Sequence, residues 1–146
     1  MGERIGEILI RKKLITEIQL DEALKEQKES GDFLGDVLVR KGFVSEKNFL
    51  ESLAGQFNTT FVELGKVMIN PQIDKMIPKR LVWQHKVMPI EMRNSVLLIA
   101  FSNPLDMWPL SDLQEKLKLT EVKFVLAARN DVLKTIERYY GPETAV

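Results

Sequence analysis

Residues 4–56 are one pattern written twice, and this constrains the fold more than any other feature of the chain. Displaced by 29 positions, residues 4–27 lie over residues 33–56, two blocks of 24 joined by the five-residue spacer 28–32. Gly6/Gly35, Leu9/Leu38, Arg11/Arg40, Lys12/Lys41, Glu17/Glu46, Glu22/Glu51, Leu24/Leu53 and Gln27/Gln56 are identical. Eight further pairs keep their chemical type: Ile5/Leu34, Glu7/Asp36, Ile8/Val37, Ile10/Val39, Leu14/Phe43, Ile15/Val44, Thr16/Ser45 and Leu20/Phe49. Sixteen matches in 24 at one offset mark two copies of a single supersecondary unit.

Within each block the apolar residues recur at helical spacing. Ile5, Ile8 and Leu9, then Leu14, Ile15, Leu20 and Leu24, predict two short helices with one buried face each. Thr16 with Gln19 reads as a capping box opening the second helix, which is expected to run to about Gln27. Ser45 takes the cap position in the second block, and Gly42 the turn between its helices, where a left-handed backbone suits glycine. The first block has Lys13 at that turn, at a cost of ~1 kcal/mol if the same angle is kept. The spacer 28–32 reads as a polar loop.

Beyond the repeat the periodicity changes. Residues 56–64 read as a crossing segment, and Pro71 and Pro78 introduce short helical turns over about 71–76 and 78–84. Residues 87–91, 93–95 and 96–101 read as strand, tight turn and strand. A helix capped at Asn103-Pro104 follows, carried by Leu105, Leu110, Leu113 and Leu117, then a strand over 121–127. A last helix capped by Asn130 runs through Val132, Leu133, Ile136 and Tyr139 and ends at Gly141-Pro142. The expected class is α+β: an N-terminal subdomain of four short helices (1–56), a connector with short helices (57–86), a small three-stranded sheet with flanking helices (87–141), and a tail or linker (142–146).

Composition narrows the function. Lys+Arg and Asp+Glu balance at 21 each, which disfavours DNA or RNA as partner. There is no cysteine and a single histidine, His85, so thiol chemistry is excluded and a His-rich metal site is not expected. The longest apolar run, Val96 to Phe101, is far short of the ~20 residues that span a bilayer. The start of the chain has no apolar secretory region, so the expectation is a cytoplasmic domain without direct membrane insertion. No phosphate-binding loop, nucleophile elbow, zincin signature or dinucleotide fingerprint occurs, and no enzyme is expected. His85 reads as a structural histidine without nearby partners, and Asp106 and Asp112, six apart, as solvated first-turn carboxylates on different helix faces.

The repeat itself admits two readings. Gly6 and Gly35 fall near a helix start, where first-turn N–H groups lack intrahelical acceptors and a bare backbone admits a flat or anionic ligand. Arg4 offers a fork for phosphate or for the O6/N7 edge of guanine, and Gln27 and Gln56 close each block with a donor and an acceptor. Two copies would suit a two-fold ligand. Alternatively, the paired glycines serve only close helix packing.

The doubled pattern R-x-G-x-x-L…L-I-x-x-x-x-L-x-x-x-L-x-x-Q, with Ser102-Asn103-Pro104-Leu105-Asp106 and the closing Ile136 to Gly141, resembles the N-terminal, MshEN-type domain of type II secretion and type IV pilus assembly ATPases. The resemblance implies a bacterial regulatory and docking module that precedes a separate ATPase motor domain. It implies cyclic di-GMP as candidate ligand and no other cofactor. The implied protein partner is the cytoplasmic domain of an inner-membrane secretion or pilus platform protein, which would hold the module peripheral to that membrane. Carried over by position, the ligand-facing candidates are Arg4, Ile5, Gly6, Leu24 and Gln27 in the first block and Leu34, Gly35, Asp36, Leu53 and Gln56 in the second. Two positions depart from the pattern: Phe33 replaces its second arginine, where a ring could stack on a base, and Lys13 replaces the first block's turn glycine.

Overall fold

The computed structural model describes residues 4–143; Met1–Glu3 and the last three residues of the expected tail lie outside the described residues. The chain forms two compact units, one ending at Asn58 and one beginning at Thr59. The stretch 57–86, expected as a connector, is therefore not a separate piece: from Thr59 on it belongs to the second unit.

The first unit is four helices, α1 (Ile5–Arg11), α2 (Glu17–Ser30), α3 (Leu34–Arg40) and α4 (Glu46–Gln56). Equivalent positions make equivalent core: Ile8 and Val37, Leu9 and Leu38, Ile15 and Val44 are all buried. The packing is crossed, with α1 against α4 and α2 against α3, while α3 also meets α4. Thr16 and Gln19 form the expected reciprocal capping box, and Ser45 Oγ accepts the Asn48 N–H at 3.1 Å. Both short helices end in the same Schellman arrangement, with Leu14 N–H on Leu9 O and Phe43 N–H on Leu38 O. Its left-handed residue is Gly42 at φ 75° in one block and Lys13 at φ 61° in the other. The spacer is shorter than the sequence suggested. α2 continues through Lys28 to Ser30, because the residue able to end it, Gly31 at φ 76°, comes only then.

The second unit is built on β1 (Met88–Arg93), β2 (Val96–Phe101) and β3 (Glu121–Leu126), in that spatial order. β1 and β2 are an antiparallel hairpin whose turn residues Asn94 and Ser95 both have positive φ, and β3 runs parallel to β2. On the far side of β3, Phe61 makes a parallel bridge to Leu126, and the Leu126 peptide is held from both sides by Thr60 O and Val62 N–H. The expected crossing segment is thus a short addition to the sheet. Around the strands lie a 3-10 turn (Leu64–Lys66), α5 (Ile73–Met76), α6 (Lys79–His85), α7 (Trp108–Lys116) and α8 (Arg129–Tyr140).

Two helix starts differ from those read in the sequence. α7 begins at Trp108, not at Asn103. Asn103 instead accepts the Leu105 N–H, and Asp106 the Trp108 N–H, in two successive side-chain turns. Pro109 explains the delay: its ring would clash with the carbonyl four residues back, so it fits only the first turn. α8 begins two residues earlier than the Asn130 signal, with Ala128 as N-cap and its carbonyl taking the Val132 N–H.

Candidate functional site

The residues singled out in the repeat fall on two crossed helix pairs. Arg4, Ile5 and Gly6 open α1, which packs on α4, the helix carrying Leu53 and Gln56. Phe33, Leu34, Gly35 and Asp36 open α3, which packs on α2, the helix carrying Leu24 and Gln27. Each short helix of one block thereby packs on the glutamine-bearing helix of the other. That exchange could not be read from the sequence, because the repeat fixes which residues correspond but not which copies meet.

The glycines have a definite packing role. Each is the second residue of its helix and is buried. A Cβ on Gly6 would lie 2.9 Å from Leu20 Cδ1, and one on Gly35 only 2.4 Å from Phe49 Cε2 and Cζ. The close approach they permit is that of the block's own second helix, so the packing reading is satisfied at both positions. Their Cα face is not open to a ligand. Leu53 is also interior, whereas its counterpart Leu24 is exposed. The polar candidates lie outward: Arg4, Asp36 and Gln56 are exposed and Gln27 is half-buried, while Phe33, a large hydrophobe, is 52% exposed.

Electrostatics bind α2 to α3 at one edge. Arg40 donates to Glu26 and Asp32, and Lys41 to Glu26. The Arg40 hydrogen bond holds the Glu26 carboxyl below its ordinary pKa, with Lys41 adding to the effect, and the same contact raises that of Arg40. Gly55 stands where Glu26 would recur, so the α1–α4 pair cannot repeat the Glu26 contacts.

In the second unit, His85 corrects the sequence reading. It is buried, its Nε2 lies 2.7 Å from Asp112 Oδ2, and its ring meets Trp108 edge-on at 4.8 Å. Asp112 is correspondingly not a solvated carboxylate: its side chain is 11% exposed, also bridges Lys116, and has its pKa lowered first by the His85 hydrogen bond. The two residues are 27 apart in sequence, which is why spacing gave no sign of the pair. The pair does not have the geometry of a working dyad. The other ring nitrogen, Nδ1, is buried with no hydrogen-bond partner among the described residues, and so cannot face a substrate in this state. The pair joins α6 to α7. Among the described residues no three His, Asp or Glu side chains gather as a metal site would require, and no helix is long and apolar enough to cross a membrane.

Comparison with known proteins places these features. The MshEN domain family matches residues 57–146, more than half of the chain and nearly all of it the second unit. The type IV pilus assembly ATPase PilB of Myxococcus xanthus is 31% identical over 141 residues, which are 97% of this chain but only 25% of that protein. The structure of MshE with cdg superposes with a TM-score of 0.86 at 29% identity, over 95% of this chain and all of that one, so the likeness takes in the repeat unit as well. The N-terminal domain of XpsE shares the fold, with a TM-score of 0.71 over 97% of this chain and all of that one, at 22% identity. The doubled helical unit is shared with the MshE structure, and the hairpin and parallel third strand lie within the residues matched by the MshEN domain family, to which this chain belongs.

Proposed function

We propose that this chain is a non-catalytic regulatory module that binds cyclic di-GMP through its paired repeats and reports to an ATPase motor carried elsewhere in the full-length protein, in the cytoplasm. The observation that carries this reading is the likeness to MshE with cdg across 95% of the chain, repeat included. The outward-facing polar residues support it, since Arg4, Gln27, Asp36 and Gln56 offer forks, donors and acceptors suited to phosphate and guanine edges. Gly6, Gly35 and Leu53 contribute by shaping the helices, and Ile5, Leu24 and Leu34 by apolar contact. To act on a motor, the ligand must bind one state of the whole protein better than another.

Isothermal titration of the purified domain with cyclic di-GMP, with GMP as control, tests the reading. Stoichiometric binding is expected, weakened about tenfold or more in Arg4→Ala, the loss of a charged bidentate contact. Gln27→Ala should weaken binding too, and circular dichroism should show both variants folded. The absence of both heat and a thermal shift at millimolar ligand would overturn it.

A second reading has its own observation. Leu105 and Met107 in the turn before α7 and Trp108 at its first position are 55%, 41% and 57% exposed. Such a patch suits docking to the cytoplasmic domain of an inner-membrane platform protein. That reading predicts partner binding lost in Trp108→Ala and unaffected by Arg4→Ala.

A further inference from the structure

The two blocks match in kind at 16 of 24 positions, and one of the positions where they differ is the residue placed just before each helix start. Arg4 and Phe33 are equivalent under the 29-residue displacement. Their backbones are nearly identical, φ −72° and ψ 152° against φ −68° and ψ 145°, and neither caps its helix with its side chain. The flanking pairs Ile5/Leu34 and Gly6/Gly35 match in type and burial. One scaffold position thus offers a guanidinium in one half of the unit and a phenyl ring, 52% exposed, in the other. The space over Gly35 is filled by Phe49 and not by Phe33.

We infer that the site is built for a cyclic dinucleotide with one guanine, held at Arg4, and a second purine of either kind, stacked at Phe33. A mixed guanine–adenine cyclic dinucleotide is then a ligand on a par with cyclic di-GMP. The inference rests on the sensor reading above and specifies its ligand class. The chemistry is asymmetric for a simple reason. Arginine donates two hydrogen bonds to O6 and N7 of guanine, and adenine places an amino group where O6 would be, so that half discriminates. A phenyl ring has neither donor nor acceptor, and its stacking is indifferent to the base because every base has a π-face. Selectivity that a pair of arginines would impose twice is imposed once.

The test titrates this chain and Phe33→Arg with cyclic di-GMP, the 3′,3′ mixed guanine–adenine dinucleotide, and cyclic di-AMP. The wild-type chain is expected to bind the first two with affinities within about fivefold, and cyclic di-AMP more than about fivefold more weakly, the lower end of what one bidentate guanine contact discriminates. Phe33→Arg is expected to open a gap of more than about fivefold between cyclic di-GMP and the mixed ligand. Phe33 is exposed, so the variant should fold, and an unchanged melting profile checks this. A wild-type chain that already prefers cyclic di-GMP over the mixed ligand beyond that margin would overturn the inference while leaving the sensor reading intact. So would a Phe33→Arg variant with an unaltered ratio, or equal binding of cyclic di-AMP. Failure of the wild-type chain to bind any of the three would remove the sensor reading, and the inference with it.

Discussion

Alanine at position 35 should destabilise the repeat unit, while alanine at the equivalent position 6 should be close to neutral. The added Cβ at position 35 would sit 2.4 Å from two atoms of the Phe49 ring, about 1 Å inside van der Waals contact. Phe49 is buried, flat and rigid, so it can yield only by moving as a whole and disturbing its neighbours. Overpacking of this kind costs about 1–3 kcal/mol, and the better helix propensity of alanine offsets at most about 1 kcal/mol of it. The net loss is about 1–2 kcal/mol, or a fall in Tm of about 4–16 °C for a unit of this size. At position 6 the nearest atom is Leu20 Cδ1 at 2.9 Å, the tip of a flexible, half-buried side chain. A rotamer adjustment there costs about 0.5–1.5 kcal/mol, which the propensity gain largely cancels. Urea and thermal unfolding followed by circular dichroism, with hydrogen exchange over residues 34–56, would read both variants. Phe49→Leu in the Gly35→Ala background recreates the contact that Gly6→Ala makes with Leu20 and should recover part of the loss, as a coupling of about 1 kcal/mol in a double-mutant cycle. A Gly35→Ala protein as stable as the wild type, or a Gly6→Ala protein equally damaged, would refute the argument.

Lys13 holds a left-handed angle at no evident benefit, so Lys13→Gly should raise stability by about 0.5–1 kcal/mol, relief of the side-chain clash less the added chain entropy; an unchanged urea midpoint would count against it. Asp112 carries a pH signature. Its folded pKa is depressed by His85 and Lys116, so its stabilisation is fully present above the ordinary carboxylate pKa near 4 and is lost as pH falls through the lowered value. Wild type should therefore exceed Asp112→Asn in stability at pH 6 and converge towards it on acidification to pH 2, and a gap that stays constant would sink the assignment.

What the sequence made legible was whatever local chemistry decides. The reciprocal cap at Thr16 and Gln19, the hairpin turn at Asn94-Ser95 and the left-handed ends at Gly42 and Lys13 each follow from a few adjacent residues. The misplaced helix starts share a cause, since asparagine signals both a cap and a free-standing turn, and Pro109 decided between them at Asn103. The addition of residues 60–62 to the sheet beside β3 was hidden for a different reason. A partner strand some 65 residues away leaves no imprint on a short apolar run, as the Thr59 Oγ1 to Phe124 O hydrogen bond shows. His85 and Asp112 were invisible as a pair on the same ground. For the candidate site, the positions were legible through the repeat, but their inward or outward aspect was not, and Leu24 and Leu53 show why: identical residues at equivalent places take opposite sides of the surface once real neighbours are present.

The crossed packing of the first unit bears on how such a chain could have arisen. Because α1 lies on α4 and α2 on α3, a single block leaves part of its packing unmet: beyond the contact within the block, its short helix and its long helix each take up a helix of the other copy. A polypeptide holding one block would find that copy only by self-association, making a symmetric dimer of identical hairpins. Joining two such genes end to end turns the dimer into one chain and removes its dependence on concentration. It also frees the halves to diverge, because a substitution no longer has to appear twice. Phe33 standing where the other block has Arg4, and Glu26 without a counterpart, are changes that only the fused form could make one side at a time.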